Sequence, residues 1–148
     1  MVPEDLEELS QGQKFKFKQS ILALLVESLD TSGHICNPSK CLSDLSDRER
    51  KATTGLGSGF AMPHVRTLQA RELTIAILRS DTGVFFDALD REPVKVFFAI
   101  VCPPYADKEY MRLLSCIGRG MQSGNLMSNL TESQTPTELM GRLCRMSE

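Results

Sequence analysis

The 148-residue sequence has no tryptophan, only two histidines, and no apolar run long enough to span a bilayer. It also has no excess of charge of one sign, since 17 Lys and Arg against 19 Asp and Glu leave a formal net charge of −2. Without a basic footprint, nucleic acid is not expected as the main partner. The five cysteines form no C-x-x-C and no cluster with zinc-ligand spacing, so no metal site is expected and the thiols read as unpaired. With no secretory apolar region after Met1, a reducing cytoplasm is the expected compartment and membrane insertion is not expected. No internal repeat and no low-complexity segment is present. The length suits one domain able to bury a real core.

What is present is layered. Residues 1–14 are acidic and polar, with Gly12 interrupting any pattern, and read as a loosely held arm before a domain spanning 15–148. Lys14, Lys16 and Lys18 read as a solvated helix entrance. From about Phe15 the spacing predicts a helix. Ile21, Leu22, Leu24, Leu25, Val26 and Leu29 form its apolar stripe, and Asp30-Thr31-Ser32-Gly33 ends it. His34, in that turn, reads as a surface residue. Asn37-Pro38 predicts an N-cap and first position of a second helix, with Leu42 and Leu45 inward. Leu73–Leu78 and Val94–Val101 are the two clear strands, the second apolar nearly throughout, as for a strand covered on both faces. Asp81-Thr82-Gly83 reads as a turn before a short strand at Val84-Phe85-Phe86. A third helix is expected at about Asp107–Met121, with Met111, Leu114, Ile117 and Met121 on one face. A weakly helical piece and a capped helix from Thr135-Pro136 to about Arg145 follow. Helices flanking buried strands predict an α/β fold: a single layered domain with a mixed β-sheet flanked by helices.

The chemistry concentrates in Asp47–Arg66, D-R-E-R-K-A-T-T-G-L-G-S-G-F-A-M-P-H-V-R. Its glycines, Gly55, Gly57 and Gly59, alternate as G-x-G-x-G. This is neither G-x-G-x-x-G nor a loop ending in G-K-[ST], so a nucleotide-dependent kinase finds no phosphate loop here. Alternating glycines suit a turn needing positive φ, and they also let backbone N–H groups approach an anion. Thr54, Gly57, Ser58 and Gly59 are therefore candidates for a phosphoryl-binding loop. Pro63 fixes the backbone beside His64, which should lie at the end of a short strand or extended segment, and Arg48 comes from the preceding helix. A neutral imidazole is a competent nucleophile towards phosphorus. An arginine fork and loop amides would stabilise charge on the transferring group without a metal or cofactor.

The pattern R-E-x₄-T-x-x-G-x-G-x-A-x-P-H, carried by Arg48, Glu49, Thr54, Gly57, Gly59, Ala61, Pro63 and His64, resembles the fructose/mannitol-type enzyme IIA domain of the bacterial sugar phosphotransferase system. That family includes a nitrogen-regulatory branch. The likeness runs from about Phe17 to Leu143. It implies the phosphotransferase/anion-transporter type of fold and a cytoplasmic phosphocarrier. His64 would take a phosphoryl group from an HPr-like phosphocarrier protein, Arg48 would help to hold it, and a IIB subunit or a regulatory target protein would be the next partner.

Two positions depart from the family's pattern. Where it usually has a second histidine, in E-H-L-x-x-L, this chain has Tyr110 within Glu109-Tyr110-Met111-Arg112-Leu113-Leu114. A phenol at that catalytic position can donate a hydrogen bond to a phosphoryl oxygen but cannot carry positive charge. The small residue usual after the histidine is Val65, then Arg66, and a β-branched side chain restricts the backbone there. These departures motivate a second reading: a regulatory protein-binding module of the same fold with weakened or lost phosphotransfer.

Overall fold

The computed structural model describes residues 10–124 together with Leu126, Glu138, Gly141 and Arg142. The chain divides into two compact units, Met1–Pro103 and Pro104–Glu148.

The first unit opens with helix α1, Gln11–Asp30. It begins earlier than the apolar periodicity predicts, because Ser10 and Gln13 form a reciprocal capping box. The Ser10 hydroxyl accepts the Gln13 N–H at 3.2 Å and the Gln13 amide accepts the Ser10 N–H at 2.9 Å. Such a cap outweighs the modest propensity cost of Gly12 inside the first turn. The inward stripe is Ile21, Leu22, Leu25, Val26 and Leu29, with Lys18 in the same phase. Leu24, expected among them, is exposed. Helix α2, Pro38–Lys51, starts as the sequence indicates. Asn37 accepts the Lys40 N–H at 3.1 Å, and Pro38 takes a position where no N–H is needed. It buries Leu45 and half-buries Leu42.

Five strands follow: β1 (Gly55–Gly57), β2 (Phe60–Ala61), β3 (His64–Arg66), β4 (Thr74–Val84) and β5 (Val94–Cys102). β1 and β2 form a tight antiparallel hairpin. β2 and β3 both pair parallel with β5, Phe60 with Val96 and His64 with Ile100. Both pairings have the same offset, so Phe60–Arg66 is one strand interrupted at Met62-Pro63. Proline breaks the ladder by lacking an N–H, yet its carbonyl still accepts the Ile100 N–H at 2.9 Å. His64 therefore opens the second half of this interrupted strand, β3, rather than ending the first.

β4 lies antiparallel on the other side of β5 and is longer than expected. Asp81-Thr82-Gly83 does not end it. Arg79 pairs with Val96 and Val84 with Val94, so the extra residues between them bulge out while the pairing resumes. Gly83 makes this feasible. Its φ is 84°, and a Cβ there would stand 2.7 Å from the Pro93 Cβ.

The core of this unit lies between the two helices and one face of the sheet. Phe97, Ala99 and Val101 of β5 meet Leu22, Leu25, Leu29 and Leu45, with Phe86 edge-on to Phe97 at 5.1 Å between ring centroids. Each such apolar side chain contributes about 1.5–3 kcal/mol when fully buried. Phe98, Ile100 and Cys102 occupy the opposite face and are also buried, as the uninterrupted apolar run predicts.

In the second unit, helix α3 spans Asp107–Ser123 and ends at Gly124 in the left-handed conformation. Its buried face is Tyr110, Leu113, Cys116, Ile117 and Gly120. This corrects the expected stripe, since Met111 is exposed. Two apolar stripes share Ile117, and the one carrying a tyrosine and a glycine faces inward. The expected helix at Thr135–Arg145 and the weakly helical piece before it lie largely outside the described residues.

Cys36, Cys41 and Cys102 form no disulfide, whereas Cys116 is disulfide-bonded, so the expectation of unpaired thiols fails there. Sequence spacing gave no sign of it, because proximity in space decides pairing. Among the described residues, no helix is long and apolar enough to cross a membrane.

Candidate functional site

The first unit draws the Asp47–Arg66 segment together around His64. As the first residue of β3, paired with Ile100, His64 lies on the face of the sheet opposite Val65, which packs into the helix-side core. Val65 thus serves the core. Arg66 alternates back to the face of His64 and is exposed.

The His64 Nδ1 lies 2.6 Å from the Met62 carbonyl oxygen. A carbonyl can only accept, so Nδ1 must carry the proton and donate it. In the neutral ring the lone pair is then on Nε2. Half-burial keeps the ring neutral by penalising the imidazolium, which lowers its pKa below the ordinary 6.5. The Met62 hydrogen bond opposes that shift, the Arg48 charge adds to it, and the Glu49 charge opposes it. The outcome is a neutral imidazole of fixed tautomer near pH 7.

Arg48 comes from the last turn of α2. Its Nη1 donates to the Ala52 carbonyl at 3.0 Å, satisfying a group that the helix end leaves without an intrahelical partner. The carbonyl bond anchors the guanidinium at the end of the helix, where its field reaches His64.

Glu49, the next residue, turns inward and is buried. Its Oε1 accepts Lys18 Nζ at 2.7 Å and the Thr54 N–H at 3.0 Å, and its Oε2 accepts the Thr54 hydroxyl at 2.5 Å. Lys18 Nζ also donates to Thr53 Oγ1 at 3.2 Å and lies 4.9 Å from the centre of the Phe86 ring. Lys18 is therefore not part of a solvated entrance. It is a buried cation, fully paired, and sequence reasoning missed it. A signal existed: Lys18, Ile21, Leu22 and Leu25 are in helical phase, so the lysine sits on the apolar stripe.

The glycine loop is the turn of the β1–β2 hairpin. Gly57, Ser58 and Gly59 all have positive φ, at 99°, 56° and 85°. The Ser58 N–H donates to Asp90 Oδ2 at 2.9 Å, and that bond, with one from Glu92, holds the Asp90 carboxyl below the usual range. The Gly59 carbonyl accepts the Lys95 and Val96 N–H groups. The loop does present an amide to an anion, and that anion is Asp90. Thr54 is likewise engaged, its N–H and hydroxyl both given to Glu49. Arg48 and His64 are thus brought together, while Thr54, Gly57, Ser58 and Gly59 shape and anchor the hairpin leading to them.

Tyr110, at the fourth position of α3 in the second unit, is buried and its N–H donates to the Ala106 carbonyl at 3.1 Å. His34, read as a surface residue, is part-exposed and has an acidic partner, Glu72, at 2.7 Å. Among the described residues no group of three or more His, Cys, Asp or Glu could hold a metal ion.

Comparison of the whole chain with known proteins shows the family. The family model for the phosphoenolpyruvate-dependent sugar phosphotransferase system, EIIA 2, matches residues 5–144, and the chain belongs to that family. It is 28% identical to the PTS system fructose-specific EIIA component of Haloferax volcanii, over 97% of this chain and 93% of that one. Among solved structures it is similar to the nitrogen regulatory protein IIA-Ntr of Neisseria meningitidis, with a TM-score of 0.64 at 28% identity over 88% and 86% of the two chains. The fold also matches enzyme IIA mannitol of Escherichia coli, solved in complex with phosphorylated IIB mannitol, with a TM-score of 0.64 at 17% identity over 86% and 88%.

Proposed function

We propose that this EIIA-type domain is a cytoplasmic phosphocarrier in which His64 Nε2 accepts a phosphoryl group from an HPr-like donor. It then passes the group to a IIB partner or keeps it as a regulatory signal. The single observation behind this reading is the hydrogen bond from Nδ1 to Met62, which leaves the lone pair on Nε2. As the Nε2–phosphorus bond forms, the bond from phosphorus to the donor breaks, and Nδ1 keeps its proton, still donated to the Met62 carbonyl. Arg48 is the cation that would offset charge on the phosphoryl oxygens, since positioning and electrostatics carry most of the catalysis in such transfers. The complex of enzyme IIA mannitol with phosphorylated IIB mannitol supports a IIB-like partner.

Incubation with phosphorylated HPr-like donors is expected to give an acid-labile, base-stable phosphate on the wild type and none on His64→Ala. A wild type that stays unlabelled with several donors would overturn the proposal.

A second reading is favoured by Tyr110, which replaces the family's usual second histidine. A phenol supplies a hydrogen bond but no titratable positive charge near neutral pH, as suits a regulatory binding module with slow transfer. Under this reading Tyr110→His raises the labelling rate strongly and partner binding survives in His64→Ala. An unchanged rate, or binding that depends strictly on phosphorylation, counts against it.

A further inference from the structure

A continuous hydrogen-bonded chain runs from α1 to the reacting ring. Lys18 Nζ donates to Glu49, at 2.7 Å, and Glu49 receives both the N–H and the hydroxyl of Thr54. The Thr54 carbonyl accepts the Met62 N–H at 2.9 Å, and the Met62 carbonyl accepts His64 Nδ1 at 2.6 Å. We propose that Lys18 is a positioning residue for His64: its buried ion pair with Glu49 orients Thr54, Thr54 fixes the Met62 backbone, and the Met62 carbonyl selects the imidazole tautomer.

The physical case rests on what each link would otherwise do. Glu49 is almost wholly excluded from water, and a buried carboxylate is tolerated when it is paired and its oxygens accept hydrogen bonds. With Lys18 present, its two oxygens hold residue Thr54 at two points, the N–H and the hydroxyl, which restrains the residue whose carbonyl meets Met62. Without Lys18, the carboxylate must take up a proton or admit water, and either change competes with Thr54 for its oxygens. Met62 joins the two links across its Cα: its N–H, in the peptide unit shared with Ala61, is held by Thr54, and its carbonyl, in the unit shared with Pro63, accepts from the imidazole. Pro63 follows it directly and has no N–H with which to re-form the ladder. Tilting Met62 therefore has one main consequence, weakening the bond to Nδ1. With that bond weakened, the proton redistributes between the two ring nitrogens.

The consequence for phosphotransfer rests on the proposed role of His64, whereas the effect on the ring does not, so the two are separable. Nitrogen NMR of the imidazole reports the tautomer directly, and with only two histidines His34→Gln assigns the signals. The wild type is expected to be mainly the Nδ1–H tautomer at pH above its titration. Lys18→Met is expected to lower the ratio of Nδ1–H to Nε2–H about fivefold, as for loss of one ordinary hydrogen bond. Lys18→Arg should restore most of it. A Lys18→Met protein that folds and keeps the wild-type ratio overturns the proposal.

Should Lys18→Met not fold, Thr54→Val carries the test. It leaves the ion pair and removes the hydroxyl link, so the ratio must move in the same direction, and an unchanged ratio is equally fatal. A shifted ratio in a protein whose wild type never accepts phosphate would support the positioning role and overturn the phosphocarrier reading instead.

Discussion

The β1–β2 hairpin is held at both ends by a carboxylate that accepts a backbone N–H, and the two ends differ in almost every other respect. At the tip, Asp90 takes the Ser58 N–H in an exposed loop. At the root, Glu49 takes the Thr54 N–H in the interior, with a buried lysine as counter-ion. In water, both partners of the tip bond have alternatives nearly as good, so the contact shapes the turn at little net gain. In the interior nothing replaces a lost partner, so the same kind of bond becomes an obligation. The root is bonded to Met62, which carries the acceptor for His64, and there the protein has placed its rigid anchor.

The largest expected effect follows from breaking the root. Glu49→Ala leaves Lys18 charged and buried without its partner and removes the acceptor for two Thr54 donors. It should cost about 3–5 kcal/mol in urea unfolding. A cost below that of an ordinary surface substitution would abolish the distinction between root and tip.

Glycine substitutions sharpen the same contrast. A Cβ at Gly55, at the root, would stand 2.6 Å from the Ala88 Cα, a backbone atom that cannot swing aside. Gly55→Ala should cost about 1–3 kcal/mol through overpacking. Gly59 has room, its nearest neighbour being 3.9 Å away, but its φ is 85°. Gly59→Ala should therefore cost only about 1–2 kcal/mol of backbone strain. Parallel melting curves would show whether Gly55 is the more demanding position.

A third expectation concerns pH. Burial holds the folded His64 pKa below 6.5, so in acid the unfolded chain binds the proton more readily than the folded one. The folded state's advantage is full above the unfolded value and is lost as pH falls through 6.5 and below. Denaturation at a series of pH values should show this loss in the wild type and a shallower one in His64→Gln. Identical slopes would mean that the ring is not held neutral. The smallest effect belongs to Asp90→Asn at the tip, which should leave the melting temperature nearly unchanged.

The same contrast explains how much could be read in the sequence. The N-cap at Asn37-Pro38, the turn glycines and the apolar run of β5 are local signals, and each is realised in the fold. Arg48 and His64 stood out in the sequence because the chemistry of the two residues and the family pattern agreed, and the fold brings the Arg48 charge within reach of the His64 ring. The partnerships were not. Lys18 meets Glu49 across thirty-one residues, and Ser58 meets Asp90 across thirty-two. A lysine in K-F-K-F-K looks solvated until the fold turns its phase inward. An Asp-Thr-Gly run looks like a turn until a neighbouring strand resumes pairing beyond it. Which of two apolar stripes α3 buries depends on packing, which periodicity alone does not contain.

The most direct test is to phosphorylate protein carrying nitrogen-15 histidine and find by phosphorus–nitrogen NMR coupling which ring atom holds the phosphate. The account predicts Nε2 of His64, with the proton retained on Nδ1 and donated to the Met62 carbonyl. Phosphate on Nδ1, or on any residue other than His64, would contradict it.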